Sequence, residues 1–208
     1  MPASQQHGFE FQKILERDVF KLTELQQSYT AIHDIPKEYN RFDHTENVSI
    51  KVTGSNSIGM GDPLRIFDYS SAETHTAIIV YYLQTGDRKT VRKTVEITLD
   101  DKRALFGDIR REEIVDLVRE IRSVPVGIPA SELNARRKHI NAMTKELSKR
   151  SAIRFNSKID SKNQRRLQCT LVAIPDSILV SSENGAVVRS VWFTDHVVSE
   201  TRTRNRRV

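Results

Sequence analysis

The chain has 208 residues, with 33 Lys and Arg against 27 Asp and Glu, a net charge of +6, and 38% hydrophobic residues. That length suffices for one core of ordinary domain size, no run reaches the roughly 20 apolar residues of a membrane span, and residues 1–8 lack the charged start and apolar core of a signal peptide. A lone cysteine, Cys169, excludes an internal disulfide, so a soluble, cytoplasmic or nucleoid-associated protein that is not secreted is expected.

In chain order, Phe11, Ile14, Leu15, Val19, Leu22 and Leu25 recur at helical spacing and predict an amphipathic helix over residues 8–29. Val48, Ile50 and Val52 alternate with polar residues as in a strand, with Lys51 on the opposite face from the valines. Residues 54–61 read as a turn-rich connection. Residues 64–69 and 76–84 are strand-like, the second apolar enough for a buried central strand. Thr85-Gly86-Asp87 marks a turn before a strand over 90–99.

Helical period returns over 111–124 and stops at Pro125. A second helix is expected from Ser131 as N-cap, turning Leu133, Ile140, Met143 and Leu147 inward. Residues 154–168 are polar and read as a loop leading into a strand over 167–174. Asn184-Gly185 between alternating runs predicts a C-terminal hairpin. The expected fold class is α+β (α/β/α-like): a central mixed sheet flanked by helices, with the basic helix and hairpin following. One domain is expected over residues 1–200, with an acidic body over 1–130, a basic part over 131–200 and a mobile basic tail over 201–208.

Charge is distributed unevenly. Residues 131–168 hold eleven Lys and Arg against three acids, and the tail adds four Arg without an acid, leaving 18 bases against 24 acids elsewhere. Clustered cations that neutralise phosphates release condensed counterions, so a polyanion is the natural partner. Aromatic residues are sparse and scattered, which favours a duplex over single strands stacked on rings. Arg136, Arg137 and Lys138 lie on the helix expected to grip phosphates. Lys158, Lys162, Asn163, Gln164, Arg165 and Arg166 mix point charges with planar side chains suited to base edges.

The region from Lys51 to Gln84 is the best candidate for chemistry. Phosphodiester hydrolysis needs an activated water and neutralisation of charge developing on phosphate, which carboxylates holding Mg²⁺ and a nearby Lys supply. Asp62, after Gly59 and Gly61, is the first candidate; a plain Asp-Pro turn is the alternative. Neither a dinucleotide fingerprint nor a P-loop occurs, so no nucleotide cofactor is expected, and the six His and one Cys show no zinc spacing.

An acid on the N-terminal helix (Glu10), the strand Ser49-Ile50-Lys51-Val52-Thr53, the Gly61-Asp62 step and the apolar strand ending at Gln84 before Lys89 together resemble the PD-(D/E)XK nuclease superfamily, specifically small type II restriction endonucleases. The resemblance covers roughly residues 8–100. It implies a Mg²⁺-dependent endonuclease, commonly a homodimer, cleaving double-stranded DNA, with Asp62 binding the metal. The strand after Asp62 reads Tyr82-Leu83-Gln84 and lacks the acid of the acid-x-Lys motif. The second ligand is then Glu10, Glu46 or Glu96, with Lys51 or Lys89 as the cation, or Gln84 coordinates through its amide, or the scaffold has lost catalysis. The assignment made is Asp62, Lys51, Gln84 and Glu10 as catalytic residues, and Asp62 with Glu96 for Mg²⁺. A non-catalytic DNA-binding protein and an RNA-binding or ribosome-associated factor are the alternatives.

Overall fold

The structure is a computed structural model that describes residues 10–22, 33–69, 73–86, 88–160 and 164–193. It is α+β, and it divides into two compact units interleaved along the chain. The first takes the chain up to Ser55, His75–Ile97 and the chain from Val180 on; the second takes Asn56–Thr74 and Thr98–Leu179.

In the first unit, helix α1 runs over residues 10–14 and continues as a π-helical turn, Leu15–Val19. Of its apolar stripe Phe11, Ile14, Leu15 and Val19 are buried and Leu22 is half-buried, while Leu25 lies outside the described residues. The helix expected over residues 8–29 is interrupted after Phe20, where Lys21 takes φ 60° and Leu22 N–H bonds back to the Glu16 carbonyl at 2.8 Å; residues 23–29 of that expectation lie outside the described residues. The sheet orders as β1 (Glu46–Thr53), β3 (Thr74–Thr85), β4 (Arg88–Thr98) and β7 (Leu179–Asn184). The continuous apolar run of β3 lies inside it, with Ala77, Ile78, Ile79 and Val80 at 0% exposure, as a strand covered on both faces requires. Phe11, Leu15, Val48, Ile50, Ile78, Val80, Val188 and Phe193 belong to one core.

The hairpin expected at Asn184-Gly185 does not form. Strand β7 joins the sheet beside β4, and Gly185 N–H bonds to the Arg92 carbonyl at 2.9 Å. The chain instead reverses between β8 (Val187–Val188) and β9 (Val191–Trp192) through Arg189 and Ser190, both at positive φ (50° and 64°). Two such central residues match the twist of paired strands, a geometry usually taken by Asn-Gly.

The second unit holds an antiparallel sheet in the order β2 (Ile58–Gly61), β6 (Arg165–Leu171), β5 (Ile153–Ile159). Residues 58–61, expected as connection, are thus a strand, and residues 154–168, expected as a loop, are most of a hairpin. Alternation was there to be read: Ile153, Phe155 and Ile159, with Leu167, Cys169 and Leu171, are buried on one face. The dense charges between them hide it. Of residues 64–69, expected as strand, 64–67 lie in helix α2 (Pro63–Phe67), because Asp62 caps it and Pro63 presets its first turn.

Helices α3 (Lys102–Phe106), α4 (Arg111–Ser123) and α5 (Ala130–Lys149) follow, the last beginning one residue before the expected Ser131 cap. Helix α5 packs on β5 and α4 on β6, with Ile140 and Leu147 of one and Ile114, Leu117 and Ile121 of the other buried. Behind α3, Gly107 sits at φ 63° where a Cβ would stand 2.0 Å from the Arg150 carbonyl oxygen, so no other residue fits. No helix among the described residues is long and apolar enough to cross a membrane.

Candidate functional site

Asp62 serves its own helix. Its Oδ1 accepts a hydrogen bond from Leu64 N–H at 2.9 Å, satisfying one of the donors a helix start leaves open. It belongs to the second unit, whereas Lys51, Gln84, Glu10 and Glu96 belong to the first. Gln84, exposed at the end of β3, donates to the Gly86 carbonyl at 3.1 Å and so secures the β3–β4 turn.

Glu96 is no surface residue. At 4% exposure it faces Arg189, whose Nε lies 3.0 Å from Glu96 Oε2 and whose Nη1 lies 2.6 Å from Glu46 Oε2. Glu46 also accepts from the Thr76 hydroxyl at 2.6 Å and from Asn40 Nδ2 at 2.6 Å. Burial works to raise the Glu46 pKa, but the hydrogen bonds from Arg189 and Thr76 prevail and hold it below the usual carboxylate range. Both acids are occupied by one guanidinium, which also lies 5.4 Å from the Phe42 ring centre.

Glu10 Oε2 is buried with no hydrogen-bond partner among the described residues. Lys89 is 2% exposed with its ammonium 4.2 Å from the Tyr82 ring centre. Burial pushes the Lys89 pKa down while the charge of Glu10 pulls it up. These two groups answer each other inside the first unit.

Lys51 does meet an acid, and it is Asp34. The bridge between Ile35 and Val48 lays residues 34–35 along β1, so Asp34 Oδ2 accepts from Ile50 N–H at 2.6 Å and stands 3.8 Å from Lys51 Nζ. A second carboxylate feels its charge. The Glu16 pKa is raised, first by burial and further by the negative charge of Asp34, against a hydrogen bond from Gln12 Nε2 (2.8 Å) and the charge of Lys13. Strand β1, the segment before it and helix α1 thus bring Lys51, Asp34 and Glu16 into one electrostatic group.

Of these three only Lys51 was expected. Asp34 was legible only through the pairing of Ile35 with Val48, thirteen residues on, and Glu16 only as a polar position on α1. Among the described residues no three of His, Cys, Asp and Glu gather as a metal-holding set.

The residues expected to contact DNA separate into engaged and open side chains. Arg165 is engaged: it donates to the carbonyls of Val124, Pro125, Asp160 and Gln164, tying the hairpin to the end of α4. Arg137 Nε donates to the Ile159 carbonyl at 2.8 Å, and Arg136 pairs with Glu132 at 3.4 Å. Gln164 N–H bonds to Asp160 Oδ1 at 3.0 Å. Lys138, Lys158 and Arg166 are exposed, and Lys162 and Asn163 lie outside the described residues.

Comparison with family models, with curated proteins and with solved structures returned no match.

Proposed function

We propose that the chain is a divalent-cation-dependent endonuclease of double-stranded DNA, with its hydrolytic group at Lys51, Asp34 and Glu16. What carries the reading is the Lys51 ammonium 3.8 Å from the Asp34 carboxylate, with Glu16 on the helix of the same unit, its pKa raised first by burial and further by the charge of Asp34. Two acids and a Lys are the parts phosphodiester hydrolysis requires.

The residues fit a Mg²⁺ ion. Mg²⁺ takes one or two carboxylates and retains several waters, and Asp34 and Glu16, whose negative charges oppose each other, would hold it. When bound it supplies a polarised water and neutralises phosphate charge. Lys51 contributes a fixed positive charge for the oxygen that gains electron density as the phosphorus–oxygen bond lengthens. The Ile50 N–H bond keeps Asp34 Oδ2 beside that ammonium, and Gln12 fixes the Glu16 carboxyl.

A non-catalytic DNA-binding protein is the second reading, and one observation favours it: Ser49, buried at 4% exposure, occupies the position two residues before Lys51 where an acid-x-Lys strand carries its carboxylate.

Supercoiled plasmid incubated with Mg²⁺, Mn²⁺ or EDTA separates the two. Metal-dependent linear or discrete fragments are expected, with Lys51→Met and Asp34→Asn each lowering the rate about 100-fold or more. Intact plasmid under every metal defeats the hydrolytic reading.

A further inference from the structure

We infer that the open face of the β2–β6–β5 sheet reads base sequence in the major groove of duplex DNA. The inference rests on the DNA-binding half of the reading above and is independent of hydrolysis.

The register places the relevant side chains. Gly59 pairs with Thr170, Thr170 with Arg154, Gln168 with Asn156, and Arg166 with Lys158. Successive residues of a strand alternate faces, so these residues share the side opposite the buried Ile153, Phe155, Leu167, Cys169 and Leu171. The buried side is covered by α4 and α5. The other side forms a concave site of about 280 Å³, bounded by Gly59, Arg154, Asn156, Lys158, Gln168 and Thr170.

A solvated sheet face usually mixes both charge signs. This one does not. Among the described residues no acid lines the concavity, and the side chains of Arg154, Lys158, Arg166 and Gln168 make no hydrogen bond or ion pair. That contrasts with Arg165, Arg150 and Arg111, all of which are engaged by acids or carbonyls.

The two amides between these cations differ. Asn156 Nδ2 donates to the Arg154 carbonyl at 3.1 Å and to Thr170 Oγ1 at 3.3 Å, while Gln168 stands directly opposite on β6. Gln168 keeps both groups and matches the paired donor and acceptor of adenine, Asn156 keeps Oδ1 to accept from a base amino group, and Arg or Lys matches the two acceptors of guanine. Gly59 and Gly61 keep the β2 side low: a Cβ at either would meet nothing within 4 Å.

Groove dimensions and ring content select the ligand. Two strands about 4.8 Å apart enter a major groove about 12 Å wide, as β-ribbon readers do. The major groove of duplex RNA is too narrow for them. Among the described residues no aromatic ring lines the site, so successive bases of a single strand find no stacking platform there.

Binding in EDTA, where no cleavage intervenes, tests the inference. The full chain is used to select from duplex DNA with a randomised core, and then titrated by anisotropy against the enriched duplex, a scrambled duplex and duplex RNA. The wild type is expected to enrich a defined sequence. Asn156→Ala and Gln168→Ala should each cut discrimination between enriched and scrambled DNA by about 5- to 150-fold. Gln168→Glu, which preserves shape and stability, should change the preferred base.

Replacing Arg154, Lys158 and Arg166 by Gln should flatten the dependence of log K on log salt by about 0.9 for each lost phosphate contact. No enriched sequence, the same sequence with unchanged discrimination in the amide variants, an unchanged salt slope, or tighter binding of duplex RNA overturns it. A variant that loses discrimination yet still cuts scrambled DNA with Mg²⁺ upholds both readings. Sequence-selective binding without any cleavage upholds this one alone.

Discussion

Arg189 Nη1 meets Glu46 Oε2 at 2.6 Å across a sequence separation of 143 residues, and the same guanidinium holds Glu96 from its other side. The pairing closes the first unit: it ties the β8–β9 turn to β1 and β4. Removing one partner of a buried charge group strands the others without solvent, at about 3–5 kcal/mol. Arg189→Ala should therefore lower the urea midpoint of the first unit sharply. Arg189→Met combined with Glu46→Gln and Glu96→Gln should recover much of the loss. A single-variant loss well under about 1 kcal/mol would show the group to be far better hydrated than its burial indicates.

The second unit should be acid-sensitive through Glu113. The Arg150 guanidinium, 2.7 Å away, and the Arg110 backbone N–H hold its pKa down to about 2. Its folded value lies below the unfolded one, ~4.3, so the stabilisation is complete above the unfolded value and disappears as pH falls through about 2. Urea midpoints measured from pH 5 to 2 should fall in that window and fall less for Glu113→Gln. Parallel pH profiles for the two proteins would remove Glu113 as the cause.

Glu16 has the opposite sign. Burial and the charge of Asp34 raise its pKa, so above that value its ionised form opposes folding. Glu16→Gln should raise the melting temperature at neutral pH without metal. Mg²⁺ or Ca²⁺ should raise that of the wild type, by an amount growing with the logarithm of metal concentration, and leave Glu16→Gln nearly unmoved. Equal metal shifts in both proteins would place the cation elsewhere.

Asp62→Ala should cost about 1 kcal/mol, the usual worth of an N-cap, and leave the rate of DNA cleavage unchanged. Cleavage lost with a native melting curve would restore Asp62 to the chemistry.

Elements with long, consistent patterns were legible from residues alone. The seven-residue apolar run of β3 and the stripe Ile114, Leu117, Ile121 of α4 each admit one structure. Short elements were not. Leu64 and Ile66 satisfy a strand's alternation as readily as a single helical turn, and only Asp62-Pro63 ahead of them decides for the helix. In β5 and β6 a period of two was present, but Arg and Lys at the outward positions made it resemble a polar loop.

The candidate site was harder, because its geometry comes from pairings that no local pattern carries. Glu96 alternates outward from Val95 and Ile97 and would be solvated if Arg189 did not arrive 93 residues later. That Arg reaches it from a turn whose two residues take positive φ without Gly or Asn, the usual turn signal standing unused at Asn184-Gly185. Asp34 beside Lys51 depends on a single bridge between Ile35 and Val48. Side chains pinned by distant backbone are invisible to spacing.

The interleaving of the units has a consequence for synthesis. A ribosome completes every stretch of the second unit, which ends at Leu179, before it makes the closing stretch of the first. Until Arg189 is made, Glu46 and Glu96 lack the guanidinium that pairs with both in the folded unit. The second unit can therefore fold on its own contacts while the chain is still being made, whereas the first has to wait for the strand and turn that bring Arg189 to its two buried acids.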